Sequence, residues 1–200
     1  MRIIHMLQDY PESKTTGKMN LYSLAVFLHV TGAIMLGFIT GLEWIMILRL
    51  RRVVTREEAL TAIGHTKIIG KMSPVTWLSI LIPGFYMVFV RWGWAPWINT
   101  AIAGWLILLI SGALIAGKKL TALMKELEAG DAPGPGLKSQ MRSMALLKGL
   151  QLRTSVTLAI IFMMTVKPSL VISVMALFIS FACVLIPVGT GKKAGVTQAS

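Results

Sequence analysis

Within residues 21–48, LYSLAVFLHVTGAIMLGFITGLEWIMIL, the side chains able to do proton or ligand chemistry near neutral pH are His29 and Glu43. An ionisable group at the centre of a bilayer costs about 2.5–3.5 kcal/mol even on lenient insertion scales, which makes both residues candidates for function. They stand fourteen residues apart, about 21 Å along a helix. They therefore belong to two levels and pose two separate chemical problems.

At the His29 level, counting equivalent depths on the other apolar runs brings in Phe85, Tyr86 and Met87, then Trp105, then Phe162 and Met163. An imidazole among aromatics and a thioether has the makings of a haem axial ligand, so His29 is the candidate metal ligand and Tyr86, Met87 and Trp105 complete the cofactor-binding set. The plainer alternative is a hydrogen bond from His29 to a backbone carbonyl or a hydroxyl. The other histidines, His5 and His65, fall in polar segments, and His65 is about 28 Å away by helix rise. A second axial ligand would have to be another residue type or come from another chain.

At the lower level, Glu43 lies six residues before Arg49, and Gln151 and Arg153 reach a matching depth in a later run. A buried charge is tolerable when an opposite charge offsets its desolvation, so Glu43 and Arg153 are expected to form a buried ion pair. That pair reads either as a clamp between helices or as a carboxylate at the mouth of a polar path. The thirteen methionines are scattered, without the close pairs a soft-metal relay would need. Lone Cys183 cannot form an intrachain disulfide. There is no phosphate-binding glycine loop, nucleophilic triad spacing or CxxC, which argues against nucleotide and hydrolase chemistry of the soluble type.

The elements that must position these residues are long apolar helices. The chain is 55% hydrophobic with a mean hydropathy of +0.72, above the roughly 45–50% of soluble domains. Its net charge of +12 punctuates apolar runs instead of covering a soluble face, which points to the bilayer and not to nucleic acid as the partner. The pattern predicts an all-α, polytopic transmembrane bundle of five helices at about 21–48, 73–91, 98–117, 150–167 and 169–188. These form a bundle over 19–188, with a polar extension at 1–18, a flexible Gly/Pro linker at about 129–138 and a polar tail at 189–200. Thr55 and Glu58 make a capping-box signature, so the second helix should begin near Arg56 and enter the membrane near Ser73. Pro83 predicts a kink. Trp92, Trp94 and Trp97 read as an interfacial belt, and Gly37 and Gly41 as a face for close helix approach. With the N-terminus outside and the C-terminus cytoplasmic, outer segments carry five Lys and Arg and inner segments fifteen. This bias favours that orientation in a cytoplasmic (inner) membrane.

Leu28-His29-Val30 with its glycine-rich run and Arg49-Leu50-Arg51-Arg52, the Trp94-Ala95-Pro96-Trp97-Ile98 hairpin, and Met163-Met164-Thr165-Val166-Lys167-Pro168 carry a resemblance. Together they resemble an uncharacterised bacterial family of integral membrane proteins. That family is similar to copper-resistance-D-like proteins and to the small helical membrane protoporphyrinogen oxidase. The resemblance spans roughly residues 20–188 and implies a helical bundle, with haem b associated with the first-helix histidine, here His29. It makes electron transfer or oxidation at a haem or related redox group the leading expectation. Two other expectations stand beside it. One is a transporter or permease-like subunit with a Glu43/Arg153 polar path. The other is a non-catalytic accessory subunit, acting as a homo-oligomer or within a larger membrane complex.

Overall fold

The computed structural model describes residues 20–130 and 135–186, and these are all-helical, without strands among them. The expected 1–18 extension, the tail from 189, and the centre of the Gly/Pro linker lie outside the described residues. Helix α1, Leu21–Leu50, starts at Asn20, whose side chain accepts from the Tyr22 N–H at 3.1 Å. At 30 residues it is about 45 Å long. Helix α2, Arg56–Met87, opens on the expected capping box: the Glu58 N–H donates to Thr55 Oγ1, and the Thr55 N–H donates back to Glu58 Oε2 at 3.4 Å, joined by the Val54 N–H at 3.1 Å. The helix runs unbroken through Pro74 and Pro83 and ends in a π-helical turn, Val88–Trp92, closed by Gly93 at φ 65°. That positive φ suits a residue without Cβ.

Helix α3, Pro96–Leu109, has proline in its first turn, where a missing N–H costs nothing. The sequence reading stops this element at Lys118, but the structure carries it on. A π-helical stretch, Ile110–Gly117, leads directly into α4, Lys118–Ala129. The lysines do not end it because Leu120, Leu123 and Leu127 repeat at helical spacing and are all buried, while Lys118 and Lys119 stay in solvent. After the short α5, Pro135–Met141, helix α6 begins at Met144, six residues before the predicted start, and runs to Val166. Lys167 turns the chain in the left-handed region at φ 51°, and α7, Leu170–Cys183, follows.

Two cores hold these helices. The larger joins Ile47, Leu50, Ala59, Ile63, Leu123, Leu127, Met141, Leu147 and Leu150, so the connectors on either side of the apolar runs form one packed base. Arg56 closes it by donating from Nε to the Leu127 carbonyl at 2.8 Å and from Nη2 to the Glu128 carbonyl at 3.1 Å, meeting orphan carbonyls at the end of α4. The smaller core, Ala101, Ala159 and Met163, lies toward the opposite end. There Trp92 Nε1 donates to the Tyr22 hydroxyl at 3.2 Å, Arg91 lies 5.0 Å from the Tyr22 ring centroid, and Lys167 Nζ lies 3.4 Å from that of Trp92. This cluster ties the start of α1 to the far ends of α2 and α6.

Among the described residues, three helical segments are long and apolar enough to cross a membrane: Leu21–Leu50, Arg56–Trp92 and Lys138–Val166. Pro96–Gly112 and Leu170–Cys183 are apolar but shorter. Large apolar side chains on these helices stand open, Phe27, Ile34, Phe38, Ile82, Phe89 and Phe178 among them. Water would not tolerate an apolar surface of that extent, whereas lipid would.

Candidate functional site: a polar cavity between the long helices

The face of α1 that carries His29, Gly32, Leu36, Thr40 and Glu43 meets α2 in two ways. In its upper part the helices touch. A Cβ added at Gly32 would lie 2.5 Å from Ser79 Oγ and 2.8 Å from Ile80 Cγ1, and one at Gly84 would lie 3.2 Å from the His29 ring. His29 Nδ1 lies 2.8 Å from the Ile80 carbonyl. A carbonyl only accepts, so Nδ1 carries the proton and donates, leaving Nε2 with the lone pair in the neutral ring. Pro83 has no N–H to offer the Ser79 carbonyl, so this histidine reaches α2 where the backbone ladder is already interrupted. The glycines of close approach are thus Gly32 and Gly84. Gly37 and Gly41, which the sequence pattern favours, meet nothing within 4 Å of an added Cβ, because they lie on the outward face of α1 with Phe38.

Further along the same face a cavity of about 340 Å³ opens. Helix α1 contributes Leu36, Ile39, Thr40, Glu43 and Met46, and α2 contributes Thr66, Ile69, Gly70, Ser73, Pro74 and Trp77. The α3–α4 rod supplies Leu108, Gly112 and Thr121 among others, and α6 supplies Arg153 and Thr157. At its border Arg153 Nη2 donates to Glu43 Oε2 at 2.6 Å. Arg153 is 6% exposed, and its Nη1 also reaches the Ser111 carbonyl at 3.5 Å. Ser111 and Gly112 lie in the first turn of the π-helical stretch, and Gly112 leaves room for the arginine stem, whose Cδ would lie 3.5 Å from a Cβ added there. A π-helical turn interrupts the usual i→i−4 ladder, and such turns recur at functional sites. One residue along each helix, Trp44 Nε1 donates to Thr154 Oγ1 at 2.9 Å, so α1 and α6 are joined twice at this level.

The hydroxyls around the cavity are not equivalent. Thr40, Ser73 and Thr121 donate to the Leu36, Ile69 and Gly117 carbonyls of their own helices. Their protons are spent, and what they offer inward is oxygen lone pairs. Thr157 differs: it is 8% exposed and lines the cavity, yet no hydrogen bond takes up its hydroxyl among the described residues. Since no deeply enclosed side-chain oxygen or nitrogen is left unpaired there, this hydroxyl remains accessible from the cavity. Pro74 cannot donate to the Gly70 carbonyl, so a backbone acceptor at the same wall also lacks its helical partner.

The two predicted levels therefore stay apart. His29, Tyr86 and Met87 do not line the cavity. Tyr86 and Met87 are half-buried, and among the described residues no hydrogen bond joins either to His29. Trp105 stands edge-on to Trp77 with ring centroids 4.8 Å apart, which turns it toward the cavity wall. For a haem, the chain presents one imidazole of suitable tautomer, since ligating histidines commonly donate their other N–H to a backbone carbonyl. No group of three or more His, Cys, Asp or Glu able to hold a metal ion occurs among the described residues. Sequence reasoning overlooked Thr157, Trp44, Thr154 and Ser111. Thr157 follows Arg153 by one turn and was open to discovery by periodicity, whereas the Ser111 carbonyl enters through a π-helical turn that no residue type announces.

Compared with known protein families, curated proteins and solved structures, the chain matches none. The fold and site define a chain whose described residues are all-helical, with three segments among them long and apolar enough to cross a membrane, built around a largely buried arginine–glutamate pair that borders a cavity.

Proposed function

We propose that this chain is a permease-like subunit of the cytoplasmic membrane, passing a small polar solute through the cavity bordered by Glu43 and Arg153. In this reading the three long helices and the two shorter apolar ones make five crossings, with the N-terminus outside and the basic base in the cytoplasm, as the Lys and Arg bias favours. The observation that carries the reading is the cavity itself. A charge pair kept only as a clamp would be packed closed, whereas here it borders about 340 Å³ of space with an unpartnered hydroxyl beside it. Discontinuities in helices at such sites recur where solutes cross membranes, and this cavity has Pro74 on one side and the π-helical stretch on another.

The test is uptake of a panel of radiolabelled amino acids, carboxylates and amines into proteoliposomes holding the purified chain. Glu43→Gln should abolish uptake while His29→Ala leaves it intact. Equal loss in both variants, or no uptake above empty liposomes, contradicts the proposal.

A second reading, haem binding at His29 with electron transfer or oxidation, is favoured by the tautomer that the Ile80 carbonyl imposes. When bound, the haem would supply a redox centre, and the part played by this chain would be to orient the His29 ring. A Soret band in the detergent-purified protein from haem-replete cells, lost in His29→Ala, would establish it. The absence of that band and of extractable haem would remove it.

A further inference from the structure

The cavity wall carries donors and acceptors side by side, and together they specify a ligand class. Arg153 has five N–H groups, of which Nη2 serves Glu43 and Nη1 makes a long contact with the Ser111 carbonyl. The remaining donors, with the Thr157 hydroxyl one turn further along α6, form a donor side suited to a carboxylate. Directly beside it, Glu43 has a second oxygen, Oε1, outside the ion pair. Thr40 and Ser73 present lone pairs because their protons are committed to Leu36 and Ile69, and Pro74 frees the Gly70 carbonyl. These acceptors suit a group with several N–H donors. Much of the remaining wall is apolar, with Leu36, Ile39, Leu108 and Trp77.

Charge decides among candidates. Glu43 and Arg153 neutralise each other, so a simple anion or a simple cation would leave one uncompensated charge beside a largely buried pair. A zwitterion adds none, and places its carboxylate and ammonium on the donors and acceptors already present. The volume of about 340 Å³ lies at the small end of ligand pockets, roughly 300–1,000 Å³. The geometry points to a zwitterionic α-amino acid with an apolar side chain as the ligand of this cavity, an inference that builds on the permease reading by naming its solute class. The carboxylate lies on Arg153 and Thr157, the ammonium on Glu43 and the Gly70 carbonyl, and the side chain lies against Trp77.

The experiment is equilibrium dialysis of the full chain in detergent with three probes: L-leucine, 4-methylpentanoate, which lacks the amine, and 3-methylbutylamine, which lacks the carboxylate. Leucine should bind, and each single-headed analogue should bind at least about tenfold more weakly, as expected when buried polar groups lose a partner. Thr157→Val preserves shape and leaves the ion pair in place. It should weaken leucine by about 2- to 10-fold in protein whose unfolding temperature matches the unaltered chain. Leucine binding no tighter than either analogue, an unchanged affinity in Thr157→Val, or no binding of any probe overturns the assignment. Leucine binding without leucine uptake into proteoliposomes supports the site and removes only the permease reading. Uptake of a carboxylate or an amine with no leucine binding overturns the site and keeps the permease.

Discussion

Arg153 and Glu43 meet at 2.6 Å across 110 residues of chain, the guanidinium almost wholly enclosed and the carboxylate side chain 18% exposed. Taking two charges out of water is costly, and removing one partner leaves the other buried and uncompensated. Arg153→Met should therefore lower stability by about 3–5 kcal/mol. The double variant Arg153→Met/Glu43→Leu should recover most of the loss. A double-mutant cycle on unfolding in detergent reads this directly, and a double variant as unstable as the single one would show that the pair is not the unit of stability.

Contact between α1 and α2 is set by Gly32, where an added Cβ meets Ser79 Oγ at 2.5 Å. Gly32→Val should force the helices apart, break the His29 to Ile80 hydrogen bond, and cost about 1–3 kcal/mol, as overpacking does. Gly37→Val, whose new Cβ meets nothing within 4 Å, should stay within about 0.5 kcal/mol of the unaltered chain. Thermal unfolding of the two variants side by side checks the contrast, and a reversed order would place the tight face on the outward side of α1.

That contrast marks how far the sequence can be read. Gly32, Leu36, Thr40 and Glu43 fall on one face by helical period alone, and depth counting pairs Glu43 with Arg153 because both charges must be enclosed at one level. The second helix start at Arg56 was legible in Thr55 and Glu58, since a capping box is local chemistry. The fate of Lys118 and Lys119 was not, because lysines that end an apolar run need not end a helix, and Leu120, Leu123 and Leu127 continue it by packing into the base core. The GxxxG signal at Gly37 and Gly41 misled because spacing cannot tell which face a neighbour occupies. The cavity was invisible because space depends on where α1, α2, the α3–α4 rod and α6 fail to touch.

The base core makes a stability prediction of its own. Leu150 is wholly enclosed among Ile47, Ile63, Leu123 and Leu147, whereas Leu158, two turns along α6, is 62% exposed. Leu150→Ala should cost about 2–5 kcal/mol through the lost contacts and the cavity left behind. Leu158→Ala should cost little, since in lipid its side chain exchanges one apolar neighbour for another. Denaturation of both variants in the same detergent provides the check.

Trp92 and Trp94 report on depth. With Arg91 and Lys167 set against the Tyr22 and Trp92 rings, this end belongs at the headgroups, where an aromatic body and a wet polar edge are both accommodated. In a variant retaining only these two tryptophans, lipids brominated near the headgroup should quench fluorescence more strongly than lipids brominated deep in the chains. Stronger quenching by the deep label would move this end of the bundle into the hydrocarbon.

A permease cavity bordered by Glu43 and Arg153 must communicate with water on the way across the membrane. The most direct test of this places a cysteine at Thr157 in a Cys183→Ser background and measures reaction with a charged, membrane-impermeant thiol reagent on the reconstituted protein. The account predicts that Thr157→Cys reacts and that a cysteine at Met163, enclosed in the smaller core, does not. An inert Thr157→Cys in folded, reconstituted protein would contradict it and leave the cavity a closed structural void.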